Sequence, residues 1–180
     1  MLIARGCEPS RAARRGCVVA IGNFDGLHLG HQAILAVQAR RCSEERLPAV
    51  VLTFEPHPRE FFTPQAAPAR LMRLRDKAEA LAERGIDELH VLRFGAALSQ
   101  WDAATFVERV LNRALGARRV VIGEGFRYGH GRSGDVAQLR AAGARHGFVV
   151  DEVPPCELGG RRVSSTRVRE ALAAGNLQEA

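Results

Sequence analysis

Gly22-Asn23-Phe24-Asp25-Gly26-Leu27-His28-Leu29-Gly30-His31 follows the apolar run Val18-Val19-Ala20-Ile21 and leads into a helix-like stretch from Gln32 to Arg41. The order is strand, glycine-rich turn, helix start. The first turn of a helix carries unpaired N–H groups and the positive end of the helix dipole, so it attracts anions, and glycines let its backbone approach a phosphate closely. His28 and His31, three residues apart, would face the same side of that turn and can donate hydrogen bonds to one phosphoryl group. Two histidines that merely cap a helix are the structural alternative.

Around this stretch the chain alternates short apolar runs with longer amphipathic ones. Strands are predicted over Cys17 to Ile21, Ala49 to Phe54, Glu88 to Leu92, Arg118 to Ile122 and Phe148 to Val153. Helices are predicted over His31 to Cys42, Leu74 to Arg84, Ala103 to Leu115, Asp135 to His146 and Ser165 to Ala174. Such alternation implies an α/β fold, a parallel sheet with helices on both faces, in which ligands bind beyond the carboxyl ends of the strands. The near-continuous apolar character of Val18 to Ile21 and Val50 to Leu52 fits strands buried on both sides. The Pro/Ala-rich interval Thr63 to Arg70 reads as a mobile loop.

Length and composition, 180 residues with 46% hydrophobic content, suit a single domain with one core. No apolar run approaches a membrane span, and Met1 to Arg15 lacks a secretory signal's apolar stretch, so a cytoplasmic protein is expected. Cys7, Cys17, Cys42 and Cys156 have neither C-x-x-C nor Cys/His metal spacing and read as reduced thiols. The formal charge of +6 invites a nucleic-acid reading. The basic residues are spread along the chain and aromatics are only 6%, so no specific nucleic-acid partner is expected; attraction for anionic nucleotides accounts for the charge.

Three further segments carry chemistry. Thr53-Phe54-Glu55-Pro56-His57-Pro58-Arg59-Glu60-Phe61-Phe62 follows the second predicted strand, its prolines stiffening the exit from the sheet. Gly123 to Asp135 is a glycine-rich loop suited to a flexible cover, with Asp135 either capping the next helix or touching ligand. Val163-Ser164-Ser165-Thr166-Arg167-Val168-Arg169 opens the last helix with hydroxyls and basic residues. Its serines and threonine can form a capping box with Glu170 as well as bind phosphate.

Taken in order, these four segments resemble the FMN adenylyltransferase module of the bacterial bifunctional riboflavin kinase/FAD synthetase family, within the nucleotidyltransferases that carry H-x-G-H. The resemblance covers nearly the whole chain; T-F-x-P-H-P and S-S-T-x-x-R narrow it to the flavin enzyme. It implies a Rossmann-like nucleotidyltransferase fold and adenylyl transfer from ATP, with Mg2+, to FMN, giving FAD and pyrophosphate. Residues 1–180 would be one adenylyltransferase domain, with 1–16 an N-terminal segment and 176–180 the start of a connector to a kinase domain not included here.

The resemblance also assigns residues. His28, His31 and Arg169 would be catalytic; Gly22, Phe24, Asp25, Gly26 and Gly30 with Arg162, Ser164, Ser165 and Thr166 would bind ATP. Arg169 is expected to project from the first turn of its helix. Phe54, Pro56, His57, Arg59, Phe62 and Phe126 would border FMN, although the phenylalanines also suit a core and His57 a turn between prolines. No dedicated metal cage is visible; Asp25 is a candidate ligand only through water. Gly125 departs from the family, which usually has Asn or Asp there. Two alternatives stand beside this reading: a nucleotidyltransferase with another phosphate acceptor, and a noncatalytic nucleotide- or flavin-binding module.

Overall fold

The computed structural model describes residues 1–180, the side chain of Ala13 excepted. Six strands form one sheet: β1 (Leu2–Arg5), β2 (Cys17–Ile21), β3 (Ala49–Glu55), β4 (Glu88–Arg93), β5 (Ala117–Gly123) and β6 (Val149–Val153). Their order is β1-β4-β3-β2-β5-β6 and every neighbouring pair is parallel. The five predicted strands are all present. The edge strand β1, pairing Leu2 with Glu88 through Arg5 with Val91, lies in the expected N-terminal segment. Four half-exposed residues with no buried face carry no alternation to read.

Helices α1 (Leu29–Glu45), α2 (Pro58–Phe62), α3 (Leu74–Ala82), α4 (Ala96–Ser99), α5 (Ala103–Phe106), α6 (Val136–His146) and α7 (Ser165–Ala173) connect the strands, and α5 continues as a π-helical stretch over Val107–Ala114. A small antiparallel hairpin, β7 (Glu157–Leu158) and β8 (Arg161–Arg162), precedes α7. Its two-residue tip is Gly159-Gly160, both at positive φ (62° and 70°), the backbone that a tight hairpin turn requires.

Period-two alternation divides the core. On β2, Cys17, Val19 and Ile21 face Phe106, Val110, Leu111 and Leu139, whereas Val18 and Ala20 face Leu35, Leu81 and Leu89. All five β2 residues are essentially inaccessible, which is why the run is apolar without interruption. Buried Gln38 of α1 donates from Nε2 to Val18 O (2.8 Å) and Val50 O (2.7 Å), fixing that helix to β2 and β3.

The chain winds from β2 to β3 and β4 in one direction, then crosses back to lay β5 on the other side of β2. A crevice opens where the order reverses, outside the carboxyl ends of β2 and β5. The motif segments leave β2, β3 and β5 there.

Two loop expectations change. Pro64–Ala66 forms a helical turn, and Arg70 at the end of that interval binds Glu55 (2.6 Å) and Glu60 (2.5 Å). The Gly123 to Asp135 loop is folded on itself: Tyr128 and Gly134 exchange backbone hydrogen bonds (3.1 and 2.9 Å), and the His130 N–H donates to Trp101 O (2.7 Å). Its glycines serve close approach. A Cβ on Gly134 would sit 2.8 Å from the Tyr128 ring, and one on Gly129 2.8 Å from the Ala103 nitrogen. Asp135 caps α6, accepting from the Gln138 N–H at 2.9 Å.

Candidate active site

The turn from Gly22 to His28 is held in an uncommon backbone. Phe24 (φ 48°) and Leu27 (φ 40°) lie in the left-handed region, where a non-glycine residue costs about 1 kcal/mol or more. Burial offsets that cost: Phe24 is wholly enclosed, its ring 5.1 Å from the His31 ring, and Leu27 is nearly so. Gly26 (φ 85°) has no alternative, because a Cβ would also meet Leu71 Cδ1 at 2.7 Å.

His28 is the N-cap of α1, its Nδ1 accepting from the His31 N–H at 3.3 Å. That bond settles the tautomer of the neutral ring: the proton sits on Nε2. The His31 ring stacks on it, centroids 3.7 Å apart and planes 19° apart. Gly30 lies between them because a Cβ would press on the His28 imidazole at 3.2 Å. The Nδ1 of His31 is buried without a partner, leaving Nε2 as the atom able to exchange hydrogen bonds. Burial pushes the pKa of both rings down, that of His31 to about 3, with His28 and Lys77 adding repulsion. Capping and presentation to the crevice coexist: His28 turns an Nε2–H outward, and His31 offers its Nε2 beside it.

Beside this turn, Ser164 caps α7 by accepting from the Arg167 N–H (3.2 Å). Arg167, not Glu170, occupies the third helical position, so the expected capping box does not form. Arg169, the fifth residue of α7, sits in its second turn rather than its first. Its side chain leans toward the helix N-terminus, as helical side chains do, and binds Asp25 and the Ala69 carbonyl. Asp25 also accepts from the N–H groups of Leu71 (3.0 Å) and Met72 (2.9 Å), and its carbonyl accepts from Ser165 Oγ (2.9 Å). With two amides and a guanidinium on its carboxylate, Asp25 is a structural junction as well as a cavity-lining residue. By contrast, Arg59 on α2 and Arg162 on β8 have side chains without hydrogen-bond or ion-pair partners among the described residues.

Beyond β3, His57 caps α2 through Nδ1, accepting from the Arg59 N–H (3.0 Å), while its own N–H donates to Glu60 (3.2 Å). Phe62 and Phe94 pack edge to face at 5.5 Å, as do Phe54 and Phe94 at 6.1 Å. Phe126 stacks parallel to Tyr128 at 5.7 Å.

These groups wall a single cavity of about 1060 Å³. It brings together His28, His31, Gly22, Asp25, Gly30, Arg162, Ser164, Ser165, Thr166 and Arg169 with Phe54, His57, Arg59, Phe62 and Phe126. Phe24, Gly26 and Pro56 do not line it: Phe24 is core beneath His31, Gly26 packs on Leu71, and Pro56 is joined to Glu55 by a cis peptide. Sequence reasoning missed Phe94, Trp101, Tyr128 and Arg132 on the wall, and Lys77 behind it. Only Tyr128 and Arg132 had a signal, lying in a motif loop already singled out.

A family model described as FAD synthetase matches residues 10–167. The chain belongs to the FAD synthetase family. A bifunctional riboflavin kinase/FMN adenylyltransferase from Pseudomonas fluorescens is 48% identical over 176 residues, covering 98% of this chain and 56% of the relative. The chain thus spans little more than half the length of that relative. Among solved structures, one named macrolide-efflux protein from Streptococcus pneumoniae superposes with a TM-score of 0.87 at 26% identity, over 100% of this chain and 59% of the other. Pantoate-beta-alanine ligase from Francisella tularensis shares the fold, with a TM-score of 0.59 at 14% identity, over 100% and 80%. The Rossmann-like nucleotidyltransferase architecture expected from the motifs is therefore the one observed.

Two properties frame what this FAD synthetase family site can hold. No group of three or more His, Cys, Asp or Glu side chains able to hold a metal exists among the described residues. No helix is long and apolar enough to cross a membrane.

Proposed function

We propose that this chain transfers the adenylyl group of ATP, bound with Mg2+, to the phosphate of FMN. An FMN phosphate oxygen forms a bond to the α-phosphorus as the bond from that phosphorus to the bridging oxygen breaks, giving FAD and pyrophosphate. The observation that carries the reading is the two-sided cavity, with neutral imidazole donors and a helix N-terminus at one side and aromatic rings at the other. At about 1060 Å³ it stands at the upper end of small-molecule and cofactor sites.

No nucleophile on the protein is needed; positioning and charge stabilisation suffice. The Nε2–H groups of His28 and His31 would donate to the departing pyrophosphate, with Arg162 and the first N–H groups of α7 beside them. Arg59 would meet the FMN phosphate, and Phe54, Phe62 or Phe126 would cover the isoalloxazine ring. Purified protein given ATP, Mg2+ and FMN should release FAD and pyrophosphate in equal amounts, followed by chromatography. FMN and ATP binding without product would mean a noncatalytic module, and product only with another phosphate acceptor would move the enzyme elsewhere in the superfamily.

Gly125 favours testing the noncatalytic alternative directly. Its φ is 75° and nothing lies within 4 Å of an added Cβ, on a stretch of cavity wall. Asparagine enters that backbone region more readily than most residues. Gly125→Asn should therefore fold normally and, by restoring one hydrogen bond, raise kcat/KM for FAD formation about fivefold. An unchanged or lower value would show that the site works without that amide.

A further inference from the structure

Lysine is seldom buried without a partner, yet Lys77 of α3 is only 6% exposed. Its Nζ donates to the Asn23 carbonyl at 2.6 Å, and Thr53 Oγ1 of β3 donates to the same oxygen at 3.2 Å. Asn23 is the residue before left-handed Phe24, at the start of the segment that ends in the His28 cap. We propose that Lys77 is a positioning residue of the phosphate site: its ammonium fastens the Asn23 carbonyl and so holds the turn that delivers His28 and His31.

The proposal rests on the adenylyltransferase reading for its kinetics and on the geometry alone for the rest. A backbone that visits the left-handed region at two non-glycine residues relaxes unless its ends are held. Here one end is the α1 cap and the other is the doubly bonded Asn23 carbonyl. Position matters steeply in such a site, because donors displaced by a fraction of an ångström no longer match the developing charge. Lys77 shares a cavity of about 20 Å³ with the carboxylates of Asp25, Glu55 and Glu60, the guanidinium groups of Arg70 and Arg169, and the His57 ring. Those carboxylates keep an ammonium there tolerable despite its burial. On the other side the charge acts on His31, which also faces His28, and helps to keep it neutral.

Two variants separate fastening from charge. Lys77→Met removes both, while Lys77→Gln keeps an N–H able to reach the carbonyl without the charge. Lys77→Met should lower kcat about tenfold with KM for ATP changed less than about twofold, and Lys77→Gln should recover most of that loss. In both, the His31 imidazole, followed by NMR, should titrate at higher pH than in the unsubstituted protein. Lys77→Met with full turnover and an unmoved His31 titration would overturn the proposal, as would Lys77→Gln being as slow as Lys77→Met. If Lys77→Met does not fold, Lys77→Ala with full turnover and unmoved α1 N-terminal amide shifts overturns it. If the unsubstituted protein makes no FAD, the functional reading fails, and the titration and the α1 N-terminal amide shifts still decide the role of Lys77.

Discussion

His31→Ala should lower the rate of FAD formation about a hundredfold, the loss usual for one preorganised donor to developing negative charge. Only Nε2 of this ring is open to a ligand, and the rate loss is that of a ring protonated there. Its Nδ1 is enclosed without a partner and its pKa is held down to about 3, so between pH 5 and 8 it carries no charge. The enzyme should accordingly show no loss of rate attributable to histidine deprotonation as pH rises through 6.5. A protonated His31 as the working form would instead produce such a loss, and that profile is the check. Stability moves the other way. Because the folded pKa lies below the ordinary 6.5, the contribution of His31 to stability is complete above 6.5 and is lost as pH falls toward about 3. His31→Ala should therefore flatten the acid limb of the stability curve while abolishing most turnover. His28→Asn is the companion variant: it keeps an acceptor for the His31 N–H and loses the imidazole, so a loss of rate there is not a loss of the cap.

The sheet was legible because its central strands are buried on both faces, and uninterrupted runs such as Val18 to Ile21 have few other uses. Helix α6 was legible from Asp135, an N-cap ahead of an amphipathic stretch. What escaped was set by long-range contacts. Strand β1 is defined by pairing with β4, a relation between residues more than eighty positions apart that no local pattern encodes. Lys77 sits on an otherwise ordinary amphipathic helix, and only the fold shows that it faces the turn rather than solvent. The glycines of the 123–135 loop looked permissive because a sequence cannot show that Ala103 and the Tyr128 ring press against two of them.

The same limit applies to the acidic residue of the motif. Within Gly22 to His31, Asp25 reads as a ligand contact. In the fold it lines the cavity and is also the point where three segments meet, the motif turn, the Ala69–Met72 strap and α7, which lie far apart in sequence. Arg169, expected to be given over to phosphate, spends one N–H on that junction and another on Ala69, and reaches the cavity with what remains.

Asp25→Ala should consequently be a stability variant first. The side chain is 8% exposed, and its removal strands the Arg169 guanidinium, itself 18% exposed, together with the Leu71 and Met72 amides. Breaking a buried pair by deleting one partner costs about 3–5 kcal/mol, and the partial access of water to Arg169 places this case near the lower end, at about 3 kcal/mol. For a chain of this length that is a fall of roughly 6–12 °C in Tm. Asp25→Asn, which keeps one oxygen for the amides, should lose about half as much. Arg169→Ala relieves part of the damage when combined with Asp25→Ala, since no unpaired cation remains; the double variant should be more stable than the sum of the singles by about 1–3 kcal/mol. Calorimetry of the unsubstituted protein and these four variants reads all of this without substrate. Additive losses would mean that Asp25 and Arg169 act separately, leaving the arginine free for phosphate and the aspartate for another partner.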